Sequence, residues 1–147
     1  LSDELAAVNH STPQIEPFPR ALWVKPDGLG LFSRIDSDSV LSRPNVARRV
    51  GDCTCVTPTA FPLAAEARPV STIVFPTVSP GTEACLEALP KARALGLLMD
   101  QAFNRANLPD AGLGPLGDLV ESAECYSLTS GSLEGSLDCV LEASCPK

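Results

Sequence analysis

Asp3 and Glu4 are the side chains best placed by type and spacing to do chemistry. Two carboxylates at the end of a strand can hold a divalent cation and take a proton from an attacking hydroxyl. The plain alternative is an acidic pair solvated at the surface. Arg20 follows Pro17-Phe18-Pro19, and prolines on both sides of Phe18 restrict the backbone to extended conformations. A guanidinium held in a fixed direction can pair with a phosphate, and a solvated surface arginine is again the alternative. Arg48-Arg49 reads as a solvated pair rather than an anion site.

Cysteine could supply other chemistry. The six cysteines stand at 53, 55, 85, 125, 139 and 145. Their density is well below that of a small secreted disulfide scaffold. Cys53-Thr54-Cys55 is a C-x-C, not the C-x-x-C of zinc ribbons and thioredoxin-like sites. His10 is the sole histidine, so a Cys/His zinc cage is poorly supplied. The reading is six reduced, mostly buried cysteines behaving as small hydrophobes. A disulfide between any pair, Cys139 and Cys145 included, and a Cys–His10 nucleophilic pair are the minority alternatives.

Several function classes are excluded by what is missing. There is no Gly-x-x-x-x-Gly-Lys-Ser/Thr loop, no Gly-x-Gly-x-x-Gly and no Gly-x-Ser-x-Gly, so the sequence carries no phosphate cradle of its own. Eleven basic against 18 acidic residues leave a net charge of −7. That argues against nucleic acid as a partner, because neutralising phosphates normally demands a basic surface. No stretch approaches the roughly 18–20 apolar residues of a spanning helix, so no membrane partner is expected. The chain opens on Leu1 without a charged-then-apolar leader, which reads as a processed or cut chain or as a piece of something longer.

The elements that would position these residues follow from hydrophobic period and turn chemistry. Asn9 to Pro13 is a turn. Ala21–Lys25 reads as a short strand stopped by Pro26-Asp27-Gly28, and a strand is expected near Cys53–Val56. Val70–Phe75 is the strongest strand, β-branched and closed by Pro76, before the turn Ser79-Pro80-Gly81. Ala92, Leu95, Leu98, Met99, Ala102, Phe103 and Ala106 recur at helical spacing as a core stripe, with Pro90 in the first turn and Asn107-Leu108-Pro109 at the end. Leu116, Leu119, Val120 and Ala123 mark a second helix starting near Pro115. Cys125–Thr129 alternates as a strand. Ser132 is the N-cap of a last helix carrying Leu133, Leu137, Val140 and Leu141. The class is α/β, a mixed sheet with helices, strands early and helices late.

In that order the residues resemble a known family. Leu1-Ser2-Asp3-Glu4-Leu5-Ala6-Ala7-Val8, followed by Pro17-Phe18-Pro19-Arg20-Ala21-Leu22, is similar to the stretch just after the P-loop in HPr serine kinase-like proteins. Pro69–Pro76 with Pro80-Gly81 resembles that family's late core strand and turn, and Leu89–Leu95 the start of its following helix. Tyr126-Ser127-Leu128 with Gly131-Ser132-Leu133-Glu134 resembles its closing strand and helix. Residues 33–67 match nothing in the family.

The resemblance implies that residues 1–147 are a single domain, or the C-terminal part of a larger kinase-like domain of the phosphoenolpyruvate-carboxykinase-like P-loop type. The implied activity is ATP- and Mg²⁺-dependent phosphorylation of a serine on a small protein or peptide in the cytoplasm. Asp3 and Glu4 take the positions of metal ligand and hydroxyl activator. The family often has Asp where Glu4 stands, and the extra methylene moves the carboxylate by about an ångström, a distance that matters in positioning catalysis. Arg20 would bind phosphate or substrate. The P-loop belongs upstream of Leu1, on an N-terminal segment or a second chain, and a homo-oligomer is compatible with this arrangement. The alternative from a different class is a non-catalytic kinase-like binding or scaffold domain, whose acidity favours a basic partner.

Overall fold

The computed structural model of the chain describes residues 5–26, 47–57 and 65–144. In chain order the strands are β1 (Ala7–Val8), β2 (Gln14–Glu16), β3 (Leu22–Val24), β4 (Ala47–Val50), β5 (Cys53–Val56), β6 (Arg68–Pro69), β7 (Thr72–Val78), β8 (Cys85–Ala88) and β9 (Glu124–Ser130). The helices are α1 (Lys91–Gln101), α2 (Leu113–Ser122) and α3 (Leu133–Ser144). The described residues therefore form a mixed α/β protein. They cluster into two compact units, the first holding 5–7, 16–26, 47–57 and 65–67, the second 8–15 and 68–144.

The first unit is built on an antiparallel sheet in the order β3-β5-β4. Leu22 and Ala47 both pair with Val56 on the central strand, and Val56 is fully buried at 0% exposure. Period-two alternation then puts Cys53 and Cys55 on the other face. Both expected strands of this region are present. β4 was not legible, because Arg48-Arg49 interrupts any apolar alternation and both side chains are exposed.

The second unit includes Val8, Gln14, Ile15 and β6, which lie in a small sheet ordered β1-β2-β6. The connection of β1 to β2 is the expected turn. Asn9 Oδ1 accepts from the N–H groups of Ser11 (2.8 Å) and Thr12 (3.1 Å), and Asn9 N–H donates to the Gln14 carbonyl (2.9 Å). This is the local side-chain capping that makes Asn a turn residue.

The larger sheet of this unit has the order β7-β9-β8. β7 and β9 run parallel from Thr72↔Glu124 to Val78↔Ser130, and β8 runs antiparallel to β9. The long connection that parallel strands require is supplied by β8, α1 and α2. Pro76 does not close β7, which continues to Val78. β7 is an edge strand of the described sheet, and an edge is where a ladder tolerates a residue without an N–H.

One face of this sheet carries the core. Leu89, Ala94, Val120 and Cys125 are buried together, with Ile73, Phe75, Leu95, Leu97 and Leu98 packed against them. Leu128 lies three residues after Cys125, so it points to the opposite face. It too is buried, and α3 packs on β8 and β9.

The apolar stripe of α1 stops short of its expected end. The helix ends at Gln101, Ala102 is extended, and Phe103 is 74% exposed rather than core. Asn104 follows in a left-handed conformation (φ 58°), and Arg105 Nη1 donates back to the Met99 carbonyl (3.0 Å). A side chain that satisfies a terminal carbonyl removes the reason to continue the helix. Two short 3₁₀ segments, Arg105–Asn107 and Pro109–Gly112, lead into α2. There Leu116, Leu119, Val120 and Ala123 are buried as expected. The C-terminal end of α2 is capped from α1, where Lys91 Nζ donates to the carbonyls of Val120 (2.7 Å), Glu121 (3.4 Å) and Ala123.

Candidate functional site

Open α/β sheets bind ligands at the carboxyl ends of their parallel strands. Here those ends are Val78 and Ser130, paired in register. After β7 the chain turns through Ser79-Pro80-Gly81-Thr82. Thr82 N–H donates to the Ser79 carbonyl (3.1 Å), and Thr82 Oγ1 donates to Ser79 Oγ (2.8 Å). Gly81 sits at φ +78°, a conformation that favours glycine.

That turn is locked onto the exit of β9. Ser79 N–H donates to the Ser130 carbonyl (2.9 Å), and Gly131 N–H donates to the Thr82 carbonyl (3.0 Å). The two segments approach so closely that a Cβ on Gly131 would lie 2.7 Å from Gly81 N and 2.8 Å from the Ser79 carbonyl oxygen. Ser130 is buried at 5% exposure, and its hydroxyl donates to the Ser132 carbonyl (2.7 Å) while accepting from Ser132 N–H (3.2 Å). Ser132 Oγ then accepts from Gly135 N–H (3.1 Å), the N-cap bond expected of it. Sequence reasoning found the cap and the turn but not their union, which joins residues some fifty positions apart. The hydroxyls of this clasp are engaged with the chain itself, so its chemical role is to fix the strand ends and the start of α3.

The residues singled out from the sequence are distributed otherwise. Arg20 is half-buried between β2 and β3, in the first unit. Asp3 and Glu4 lie outside the described residues. Arg48 and Arg49 are exposed, as a solvated pair should be. His10 is exposed on the β1–β2 turn, with Nδ1 2.7 Å from Ser11 Oγ, so its ring engages a neighbouring hydroxyl rather than a thiol.

Cys53, Cys55, Cys85, Cys125 and Cys139 are free thiols, so Cys139 is not part of a disulfide; Cys145 lies outside the described residues. Only Cys125 of the five is buried, which corrects the expectation of mostly buried cysteines: Cys53, Cys55 and Cys139 are half-buried and Cys85 is exposed. Burial pushes the Cys125 thiol up from its ordinary range, against a smaller pull from the Lys91 charge, and this marks it as an inert core residue. Tyr126 is also pushed up, first because its hydroxyl donates to the Glu124 carboxylate, then through desolvation and the Glu124 charge.

No group of three or more His, Cys, Asp or Glu among the described residues could hold a metal ion, and no described helix is long and apolar enough to cross a membrane. Compared with known proteins, the chain matches no family model, no curated protein and no solved structure.

Proposed function

We propose that this chain is the C-terminal portion of an ATP- and Mg²⁺-dependent serine kinase of the HPr-kinase-like type, acting on a small protein or peptide, with its P-loop supplied by an upstream segment or a second chain. The observation that carries the reading is the order of elements from Thr72 to Ser144. A core strand, a Ser-Pro-Gly turn, β8, a helix entered at Pro90, α2, a closing strand parallel to the first and a final helix follow one another. This is the order in which the resembling motifs stand in the sequence. The described residues themselves offer neither a phosphate cradle nor a carboxylate cluster for Mg²⁺, so no catalytic step follows from their geometry. In this reading Asp3 and Glu4 hold the metal and activate the serine hydroxyl, and Arg20 binds phosphate or substrate. The test is ATP–Mg²⁺ binding and phosphoryl transfer by the chain with and without its upstream segment. Binding only with that segment, and transfer lost in Asp3→Asn without loss of folding, are the expected results. Tight ATP–Mg²⁺ binding by the 147 residues alone would contradict the reading.

A second reading, a non-catalytic kinase-like binding or scaffold domain, is favoured by one feature of α3. Leu133, Leu137 and Leu141 are all exposed, four residues apart, beside an equally spaced exposed row of Glu134, Asp138 and Glu142. An apolar ridge edged with acid suits a basic protein partner. Partner binding that ignores ATP–Mg²⁺ and Asp3→Asn but is lost in Leu137→Glu would select this reading over the kinase.

A further inference from the structure

Cys53 and Cys55 share one face of β5, the face opposite fully buried Val56. Both are free, half-buried thiols. The strand register places Val50 beside Cys53, and Trp23 and Arg48 on either side of Cys55. Residues directly opposite in antiparallel strands project to the same face. This face is partly open, with Trp23 45% exposed.

The spacing decides what two such thiols can do. Residues i and i+2 of a strand are about 6.7 Å apart with side chains standing side by side. A disulfide needs Cβ atoms about 3.5–4.5 Å apart and converging, so these sulfurs cannot oxidise to each other while β5 keeps its pairing. A cation held linearly between two thiolates needs its sulfurs only about 4.6 Å apart, given metal–sulfur bonds of about 2.3 Å. Side chains that each lean inward by about an ångström meet that span. Zinc is poorly served, because it asks for four ligands and the described residues offer no third His, Cys, Asp or Glu at this place.

We infer that Cys53 and Cys55 form a two-coordinate site for a soft monovalent cation of the Cu(I) type, the class that thiolates select. Binding exchanges two S–H protons for two sulfur–copper bonds, releases both protons to solvent and leaves copper at the +1 state. The resulting bis-thiolate complex carries one net negative charge, and the register position of Arg48 next to Cys55 supplies a cation to balance it.

The reporter is built in, since Trp23 is the chain's single tryptophan and stands on the same face. The fully reduced chain is titrated anaerobically with Cu(I) buffered by bicinchoninate, following Trp23 emission and bound copper. Quenching that saturates at one copper per chain is expected. It should disappear in Cys53→Ser, in Cys55→Ser and in the double variant Thr54→Cys with Cys55→Thr, which keeps the thiol count but turns one sulfur to the opposite face. Cys85→Ser should leave it intact. In the unmodified chain, bound Cu(I) should shield Cys53 and Cys55 from iodoacetamide while Cys85 stays reactive, a readout that needs no folded variant. Equal alkylation of Cys53 and Cys55 with and without Cu(I), or full copper binding by the face-swapped double variant, would overturn the assignment.

Discussion

Gly131→Ala tests the clasp at the carboxyl ends of β7 and β9. The new methyl carbon would stand 2.7 Å from Gly81 N, 2.8 Å from the Ser79 oxygen and 2.9 Å from Thr82 N. All three are backbone atoms, so no flexible side chain can swing aside. Relief requires the two segments to part, which breaks the Ser79–Ser130 and Gly131–Thr82 hydrogen bonds. Forced overpacking costs about 1–3 kcal/mol, and two backbone hydrogen bonds contribute about 2 kcal/mol. Alanine also stiffens the unfolded chain, which returns about 0.4–1 kcal/mol. The steric terms win, and the net loss is about 2–5 kcal/mol. In urea, followed by far-UV circular dichroism, the midpoint should fall by about 1 M or more with little change in slope. A midpoint equal to or above that of the unmodified chain would refute the clasp, because it would leave only the unfolded-state benefit of alanine.

Gly96→Ala should do the reverse, because Gly96 lies inside α1 with nothing within 4 Å of an added Cβ; a gain of about 0.5–1 kcal/mol is expected in the same urea assay. Lys91→Met keeps the apolar stem but removes the ammonium from the α2 carbonyls, so a loss of about 1 kcal/mol should appear, with faster amide exchange in the last turn of α2. The raised Cys125 thiol binds its proton more tightly folded than unfolded. Its contribution is thus complete below the unfolded thiol pKa of about 8.5 and falls away as pH rises through the folded value. Urea midpoints should therefore decline above about pH 8.5, and Cys125→Ala should flatten that decline relative to its own neutral-pH stability.

The elements read correctly from the sequence are those whose own composition decides them. Thr72-Ile73-Val74-Phe75 is β-branched and aromatic, and Leu116, Leu119 and Val120 have a helical period, so local preference and burial agree. β8 was missed because a four-residue strand with Cys85, Glu87 and Ala88 exposed has no apolar face to display. The α1 stripe was read too far because Ala102, Phe103 and Ala106 keep the spacing after the backbone has already left the helix at Ala102. Pro76 was read as a stop because the sequence does not say which strands lie at an edge. The clasp depends on the pairing of Val78 with Ser130, a distant contact that neither segment announces. Of the candidate site, Arg20 alone is among the described residues.

The kinase reading stands most directly on the two residues ahead of β1. With the upstream segment restored, ATP–Mg²⁺ binding and phosphoryl transfer to a serine-bearing peptide should appear together. Asp3→Asn should abolish transfer while leaving the unfolding free energy measured in urea within about 0.5 kcal/mol of the parent. Transfer at the parental rate in Asp3→Asn, or ATP–Mg²⁺ binding by residues 1–147 without the segment, would contradict it.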